Sequence, residues 1–570
     1  MREAIDNKII IFKVIFGLFV LVWSFNVLNV GFYVDENGLL TIYKGFYQGQ
    51  RLFTDSWEAL QTGGILAYPL LALYYQVLAP LFAGVGINIG LVLYMRIVYT
   101  ICRLLVSVYL YFTIRKTVYE DGAFAASIFY YMFVMGWKNF SYKSYCDLAI
   151  MLLICFIIRY QETKKSWYFI FAGIATCVAI LAYPTMIIMA FAISVILIVG
   201  IYRNEIQKQS LIIYLATCFV IGVAIVVYIQ CTSGLENVFS QIGYLGDQDY
   251  EHGILYRIGM LLLSYLVFAI IAYLPVFVVA IIRRFRYLSD LAEGLFFTVY
   301  WFVFMVGICC LRLNSVSNSR FVYALLILLF WFPYFVHEKK ENVFTKIGAY
   351  NNSNDNEYYV LWIMFIVSIV AQFAWSLSTN QDISVPGHMV IYVVIADILI
   401  IVRNKEYMAG LVVLVNLVAL FFMGFWVPEH NGGYEDVLSL RYMVTEGELK
   451  GIILLPEDYD ANEICYRLVS ENVPEDSRLL VAFGSNSTGY LNSNAMQGTY
   501  SVYARTQLNT MLLDYYEINP ENQADYLLLD KGNPKYERFL EFDTGKYLLD
   551  TYTNIVAEEG NFVLLSKGVD

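Results

Sequence analysis

The chain predicts a polytopic α-helical membrane protein of about 13 spanning helices followed by a C-terminal extracytoplasmic α/β domain. Three observations carry this. Of 570 residues, 59% are hydrophobic and only 15% charged, with a mean hydropathy of +0.59, which excludes an ordinary soluble protein. Apolar runs of roughly 20 residues, the length that crosses a hydrocarbon core, recur from Ile9 to Val427. From Pro428 the texture turns charged and mixed, with 24 acids against 10 Lys/Arg, so the net charge of −11 belongs to this tail. The acidity is that of a soluble domain and gives no sign of a nucleic-acid partner. The division is therefore 1–430 for the membrane domain and 431–570 for the soluble one.

Spanning segments are expected near 9–30, 88–114, 122–137, 148–160, 167–182, 185–201, 210–230, 254–282, 292–311, 320–336, 358–377, 386–402 and 408–427. The first has basic flanks at Arg2, Lys8 and Lys13 but is too long for a signal-peptide core, so it reads as a retained anchor. Proline in Tyr183-Pro184-Thr185 splits the long stretch from Trp167 to Gly200 into two helices. Most of the nine cysteines lie in apolar runs and only Cys465 in the tail, so no disulfide framework is expected there.

The apolar stretch 64–84 is excluded from the spans on charge grounds. With a cytoplasmic N-terminus and 64–84 not crossing, Arg115-Lys116, Lys164-Lys165, Arg203 with Lys208, Arg283-Arg284-Arg286, Lys339-Lys340 and Arg403 with Lys405 all fall inside. If 64–84 crossed, all six clusters would move outside. The segment is read as a helix in or dipping into the outer leaflet, with breaks at Gly63-Gly64 and Pro69. The first external loop, 31–87, and the soluble domain then share the outer face.

Ionisable residues on that face are the functional candidates. Asp35-Glu36 follows the first span, either as interfacial residues ending a helix or as a carboxylate facing a membrane-level cavity, where partial desolvation makes a base. Asp147 stands where a connection re-enters an apolar segment, a position where an acid has a partner or a task unless it is simply solvated. Arg257, Arg312 and Arg320 are the main cations on a face otherwise depleted of them. Either they snorkel to headgroups or they clamp an anionic leaving group. Lys138 and Lys143 are weaker candidates of that sort. The loop Gly246–His252 clusters acids and a histidine but fits no calcium-loop spacing, and no His/Cys cluster has zinc spacing, so no metal or other cofactor is expected.

In the tail, short β-rich runs are expected at Gly451–Leu455, Leu479–Phe483, Tyr526–Leu529 and Phe562–Leu565, with a helix between Asp458 and Asn472. The stretch Gly484-Ser-Asn-Ser-Thr-Gly489 reads as a binding loop or a plain turn; it is no dinucleotide or P-loop fingerprint.

Several of these features together resemble the GT-C glycosyltransferases, among them the protein O-mannosyltransferases and the lipid A aminoarabinose transferase. They are Asp35-Glu36 after the first helix, a long loop with Gly49-Gln-Arg-Leu-Phe-Thr-Asp55, and a segment opening at Pro69. Arg115-Lys116 after the next helix and Ser141-Tyr142 with Asp147 complete the set. The resemblance implies an inverting transfer of a sugar from a polyprenyl-phosphate donor to a saccharide, lipid or protein acceptor on the outer face of the cell membrane. Asp35 would be the base, with Glu36 beside it, Asp147 a second acid, and Arg257, Arg320 and Lys138 cations for the lipid phosphate. The paired Lys or second Pro found beside the equivalent of Pro69 in several relatives is absent here. The alternatives are a flippase for lipid-linked saccharides and an inactive GT-C scaffold. A transporter should carry charges at the membrane midplane, whereas these helix interiors read as largely clean.

Overall fold

A computed structural model describes residues 2–32, 34–115, 120–133, 138–244, 254–311, 327–328, 330–334, 354–379, 413–417, 419, 440–484, 487–503 and 510–568. Its membrane part contains α1 (Arg2–Asn26), α2 (Val34–Tyr47), α3 (Gly63–Leu73), α4 (Ala79–Val85), α5 (Leu91–Ile114), α6 (Glu120–Met132) and α7 (Tyr142–Thr163). There follow α8 (Tyr168–Ala182), α9 (Ile187–Tyr202), α10 (Lys208–Thr232), α11 (Leu235–Gln241), α12 (Ile254–Phe285), α13 (Asp290–Leu311) and α14 (Asn354–Thr379). Seven helices among the described residues are long and apolar enough to cross a membrane. The expected segments 320–336, 386–402 and 408–427 lie wholly or partly outside the described residues. In hydrocarbon a helix satisfies its own backbone, so a uniformly apolar run has little alternative to this form. Most of α7 is buried at the centre of the bundle, whereas α10 buries only Ser210 and Tyr214 and turns the rest outward.

α1 and α6 pack side by side. The Lys13 ammonium in the middle of α1 pairs with Asp121 at the start of α6, and Ser24 near the end of α1 bonds Tyr131 near the end of α6 at 2.6 Å. The two helices thus run parallel.

Helix 63–85 meets the same layer at its start, middle and end. Thr62 donates to the Leu181 carbonyl at the end of α8, and Tyr75 donates to Glu448 of the soluble domain at 2.7 Å. Beyond Val85 the chain turns at left-handed Gly86 and bonds the soluble domain through Gly90 N–H to Lys450 O at 2.7 Å. Tyr68, Leu73, Val77, Leu81 and Val85 form an exposed apolar stripe, as expected for a helix lying against lipid. Pro69 does not break it: α3 runs straight through that residue. The irregularity is instead a π-helical turn at Tyr74–Leu78, just ahead of Pro80, whose missing N–H cannot continue the ordinary ladder.

The soluble part has β1 (Tyr442–Met443), β2 (Ile453–Leu454), α15 (Pro456–Asn472), β3 (Arg478–Val481), β4 (Met496–Gln497), β5 (Tyr526–Asp530), β6 (Asn554–Glu559) and β7 (Phe562–Ser566). A five-stranded sheet runs in the order β4-β3-β5-β7-β6, parallel across β4-β3-β5 and antiparallel beyond. All four expected strands and the helix are present within a few residues. The short β1 and β4 and the exposed edge strand β6 were not expected, since two-residue strands and an edge with acids at its end carry little periodic signal.

This domain is fastened to the first loop by backbone as well as side chains. Ile453 bridges Val30 in parallel, with Gly31 N–H on Ile453 O and Ile453 N–H on Asn29 O. Buried Lys44 of α2 reaches both Glu448 and Leu491 O at 2.7 Å. At Gly90 a Cβ would sit 2.5 Å from Glu448 O and 2.7 Å from Lys450 N, both backbone atoms that cannot rotate away. Gly90→Ala is therefore expected to destabilise the protein by about 1–3 kcal/mol, read as a lowered apparent Tm in detergent. Glu58 is buried in the same interface, held by the Ser501 hydroxyl, and burial raises its carboxyl above the usual range. The folded state keeps that proton to higher pH than the unfolded one. Its contribution is full in acid and lost as pH climbs through the raised value, and Glu58→Gln should flatten that part of the Tm–pH curve.

Candidate active site

Asp35 and Glu36 do not end the first helix. The chain turns at left-handed Gly31 and begins a new one, placing both acids in the first turn of α2, where the helix dipole favours negative charge. The two side chains then part.

Glu36 is buried and bound bidentately by Arg96 of α5, Nε on Oε1 at 2.8 Å and Nη2 on Oε2 at 2.6 Å. Arg96 also donates to Leu28 O at 2.6 Å and Gly31 O at 2.8 Å, which locks the turn between α1 and α2. Asn139 adds a bond to Glu36 Oε1 at 2.9 Å. Such a carboxylate is occupied in holding three elements together. Its geometry is that of a positioning residue.

Asp35 is half-buried at the edge of this cluster. The Tyr503 hydroxyl of the soluble domain donates to the Asp35 backbone carbonyl at 3.0 Å, and burial together with Asp35 holds that phenol protonated. A Cβ on Gly38, one turn later, would lie 2.3 Å from the Tyr503 ring, so α2 and Tyr503 meet closely here. Lys143 of α7 lies in the field of both Asp35 and Asp147, with Nζ 5.0 Å from the centre of the Trp375 ring.

Asp147 lies one helical turn beyond Lys143 and is buried. It also faces the positive field of Arg103 and neighbours Tyr99 and Tyr130. Arg103 itself caps the end of α6, donating to the carbonyls of Tyr130, Tyr131 and Phe133 and to the Tyr99 hydroxyl. The structure thus sets Asp35, Glu36 and Lys138 around the start of α2, with Asp147 on α7 one turn beyond Lys143.

The expected phosphate cations fare differently. Lys138 is buried, donates to Val27 O at 2.7 Å, and is depressed by burial and by Arg96. Arg257 stands near the start of α12 and donates to Leu377 O, in the last turn of α14, at 3.0 Å. Arg312 and Arg320, like the Gly246–His252 loop, lie outside the described residues. Among the described residues no group of His, Cys, Asp or Glu is arranged to hold a metal.

Sequence reasoning missed Arg96, Arg103 and Asn139. The expectation of largely clean helix interiors is corrected here, since both arginines are buried within α5. An isolated Arg inside an apolar run was the available signal, because a charge placed there requires partners.

With this geometry in place, comparison with known proteins is informative. Residues 75–229 match the family model described as dolichyl-phosphate-mannose-protein mannosyltransferase. The match bears out the resemblance to the GT-C membrane glycosyltransferases, and with it the reading of the chain as a glycosyltransferase. The matched segment includes Arg96, Lys138 and Asp147, and lies beyond Asp35-Glu36. Two solved structures align along nearly the whole chain. One is ArnT from Cupriavidus metallidurans in the apo state, 12% identical, covering 98% of each chain with a TM-score of 0.44. The other is ArnT from the same organism bound to undecaprenyl phosphate, 12% identical, covering 97% of each chain with a TM-score of 0.43. No protein of curated description matches the chain.

Proposed function

We propose that the protein transfers a sugar, with inversion, from a polyprenyl-phosphate-linked donor to an acceptor at the outer face of the membrane. The observation that supports this reading is a half-buried Asp35 where Tyr503 of the soluble domain meets α2, with buried Asp147 and Lys143 on the neighbouring α7. Asp35 is the base that takes the acceptor hydroxyl proton as that oxygen attacks the anomeric carbon. The bond from carbon to phosphate oxygen breaks on the opposite side, and the lipid phosphate leaves as an anion. Lys143, one helical turn from Asp147, stabilises the departing phosphate together with Arg257 and Arg320. Glu36 acts through Arg96 by fixing the start of α2.

Purified protein in nanodiscs would be supplied with radiolabelled polyprenyl-phosphate sugars and candidate acceptors, and the anomeric configuration of the product read by NMR. Inverted product is expected; a retained anomer would remove the single-displacement mechanism. Movement of lipid-linked sugar across vesicles without any transfer would instead establish the flippase alternative. For sidedness, Lys546→Cys in a Cys231→Ser background, exposed on the soluble domain, is expected to react with an impermeant maleimide in intact cells.

A further inference from the structure

One seam between the first external loop and the soluble domain joins residues 56–58 to residues 500–503. Trp57 N–H donates to Tyr500 O at 2.7 Å, and the Ser56 hydroxyl donates to the same carbonyl at 3.3 Å. Next along the loop, the buried Glu58 carboxyl accepts from the Ser501 hydroxyl, 443 residues away in the chain. The N–H groups of Val502 and Tyr503 turn to it as well, and Tyr503 N–H also reaches Ser501 Oγ at 3.1 Å. A carboxylate only accepts, so it can gather several donors at one point; an amide in its place keeps one accepting oxygen and turns an NH2 toward the rest. Burying an acid in such a seam adds little net stability. What it supplies is a fixed place for the backbone that carries Tyr503.

Tyr503 passes that placement on to α2. Its hydroxyl donates to the Asp35 carbonyl at 3.0 Å, and its ring fills the space a Cβ on Gly38 would need, 2.3 Å away. The first turn of α2 is thus gripped twice. Arg96 of α5 holds the Glu36 side chain, and Tyr503 of the soluble domain holds the Asp35 backbone. Asp35 lies between the two grips, and its own carboxyl is not consumed by the contact with Tyr503.

We infer that Glu58 and Tyr503 are positioning residues for sugar transfer, Glu58 fixing segment 501–503 and Tyr503 fixing the backbone of Asp35. The inference rests on the reading of Asp35 as the base. Neither residue touches donor or acceptor in this account. A base must stand within hydrogen-bond reach of the proton it takes, and a displacement of about 1 Å is enough to cost about 10²-fold in rate. The soluble domain, which carries no catalytic group of its own here, then acts on the chemistry through one hydroxyl.

The test reads kcat, KM and amide hydrogen exchange on the full chain in nanodiscs. Tyr503→Phe keeps the ring against Gly38 and deletes the hydroxyl, while Glu58→Gln keeps the size and deletes one accepting oxygen. Each is expected to lower kcat about 10- to 100-fold with little change in KM for the polyprenyl-phosphate sugar. The double variant should fall no further than the more affected single one, because both act through one contact. Ser501→Ala weakens the same seam without touching a buried acid; it should lower kcat too, and it stands in for Glu58→Gln if that variant does not accumulate. Exchange in the first turn of α2 should quicken in every one of these variants and stay at the parent rate in Asp35→Asn. Parental kcat or parental exchange in Tyr503→Phe would overturn the inference, and additive losses in the double variant would uncouple Glu58 from Tyr503. A raised KM at intact kcat would make Tyr503 a substrate-binding residue instead. The two readings fail separately: parent-rate transfer by Asp35→Asn removes the base, whereas a crippled Asp35→Asn beside a fully active Tyr503→Phe removes the positioning role alone.

Discussion

Asp35→Asn is expected to lower the rate of sugar transfer by about 10²–10⁴-fold while leaving the fold and its apparent Tm unchanged, the range over which a positioned general base contributes. The substitution keeps size and shape but deletes the lone-pair basicity that would take the acceptor proton. The bond that Tyr503 donates to Asp35 is to its backbone carbonyl, and a side-chain change does not remove it. Lys143 would lose one of its two neighbouring acids and keep Asp147. Donor affinity, read as KM for the polyprenyl-phosphate sugar, should therefore move less than kcat. Transfer by Asp35→Asn at the parent rate would sink the assignment of Asp35 as base. A fall in donor affinity with kcat intact would reassign Asp35 to substrate binding.

Much of this arrangement was legible in the sequence, and the reasons are physical. The case for keeping the 64–84 stretch on one face rests on charge parity, because six basic clusters shift together if it crosses. The strands of the tail were visible where apolar runs are bounded by turn residues. Less legible was anything fixed by contacts between distant segments. Asp35-Glu36 looked like one unit, yet a helix start rotates successive side chains by about 100°, turning Glu36 into the Arg96 pair and leaving Asp35 at the edge. The role of Lys138 was invisible for a similar reason. Its charge suggested phosphate, and what no local pattern showed is its burial, with its ammonium on Val27 O. Closure of the soluble domain over α2, through contacts more than 400 residues apart such as Lys44 with Glu448, has no local sequence signature.

The Glu36–Arg96 pair yields the largest expected effect on stability. Arg96→Leu leaves Glu36 charged and buried, with Asn139 its one remaining hydrogen-bond partner among the described residues, and strips Leu28 O and Gly31 O of the Arg96 donor. Breaking one partner of a buried pair costs about 3–5 kcal/mol, enough to lower the apparent Tm steeply or to prevent accumulation of the protein. Removing both charges costs less, because no uncompensated ion remains, so Arg96→Leu with Glu36→Leu should regain a large part of the lost stability. It should not regain activity. The turn at Gly31 would no longer be pinned to α5, and the first turn of α2 would lose the register that presents Asp35. Recovery of Tm without recovery of kcat is thus the signature of a positioning pair. A double variant that regains both would show the pair to be purely structural, and an Arg96→Leu protein as stable as the parent would remove the ion pair from the account.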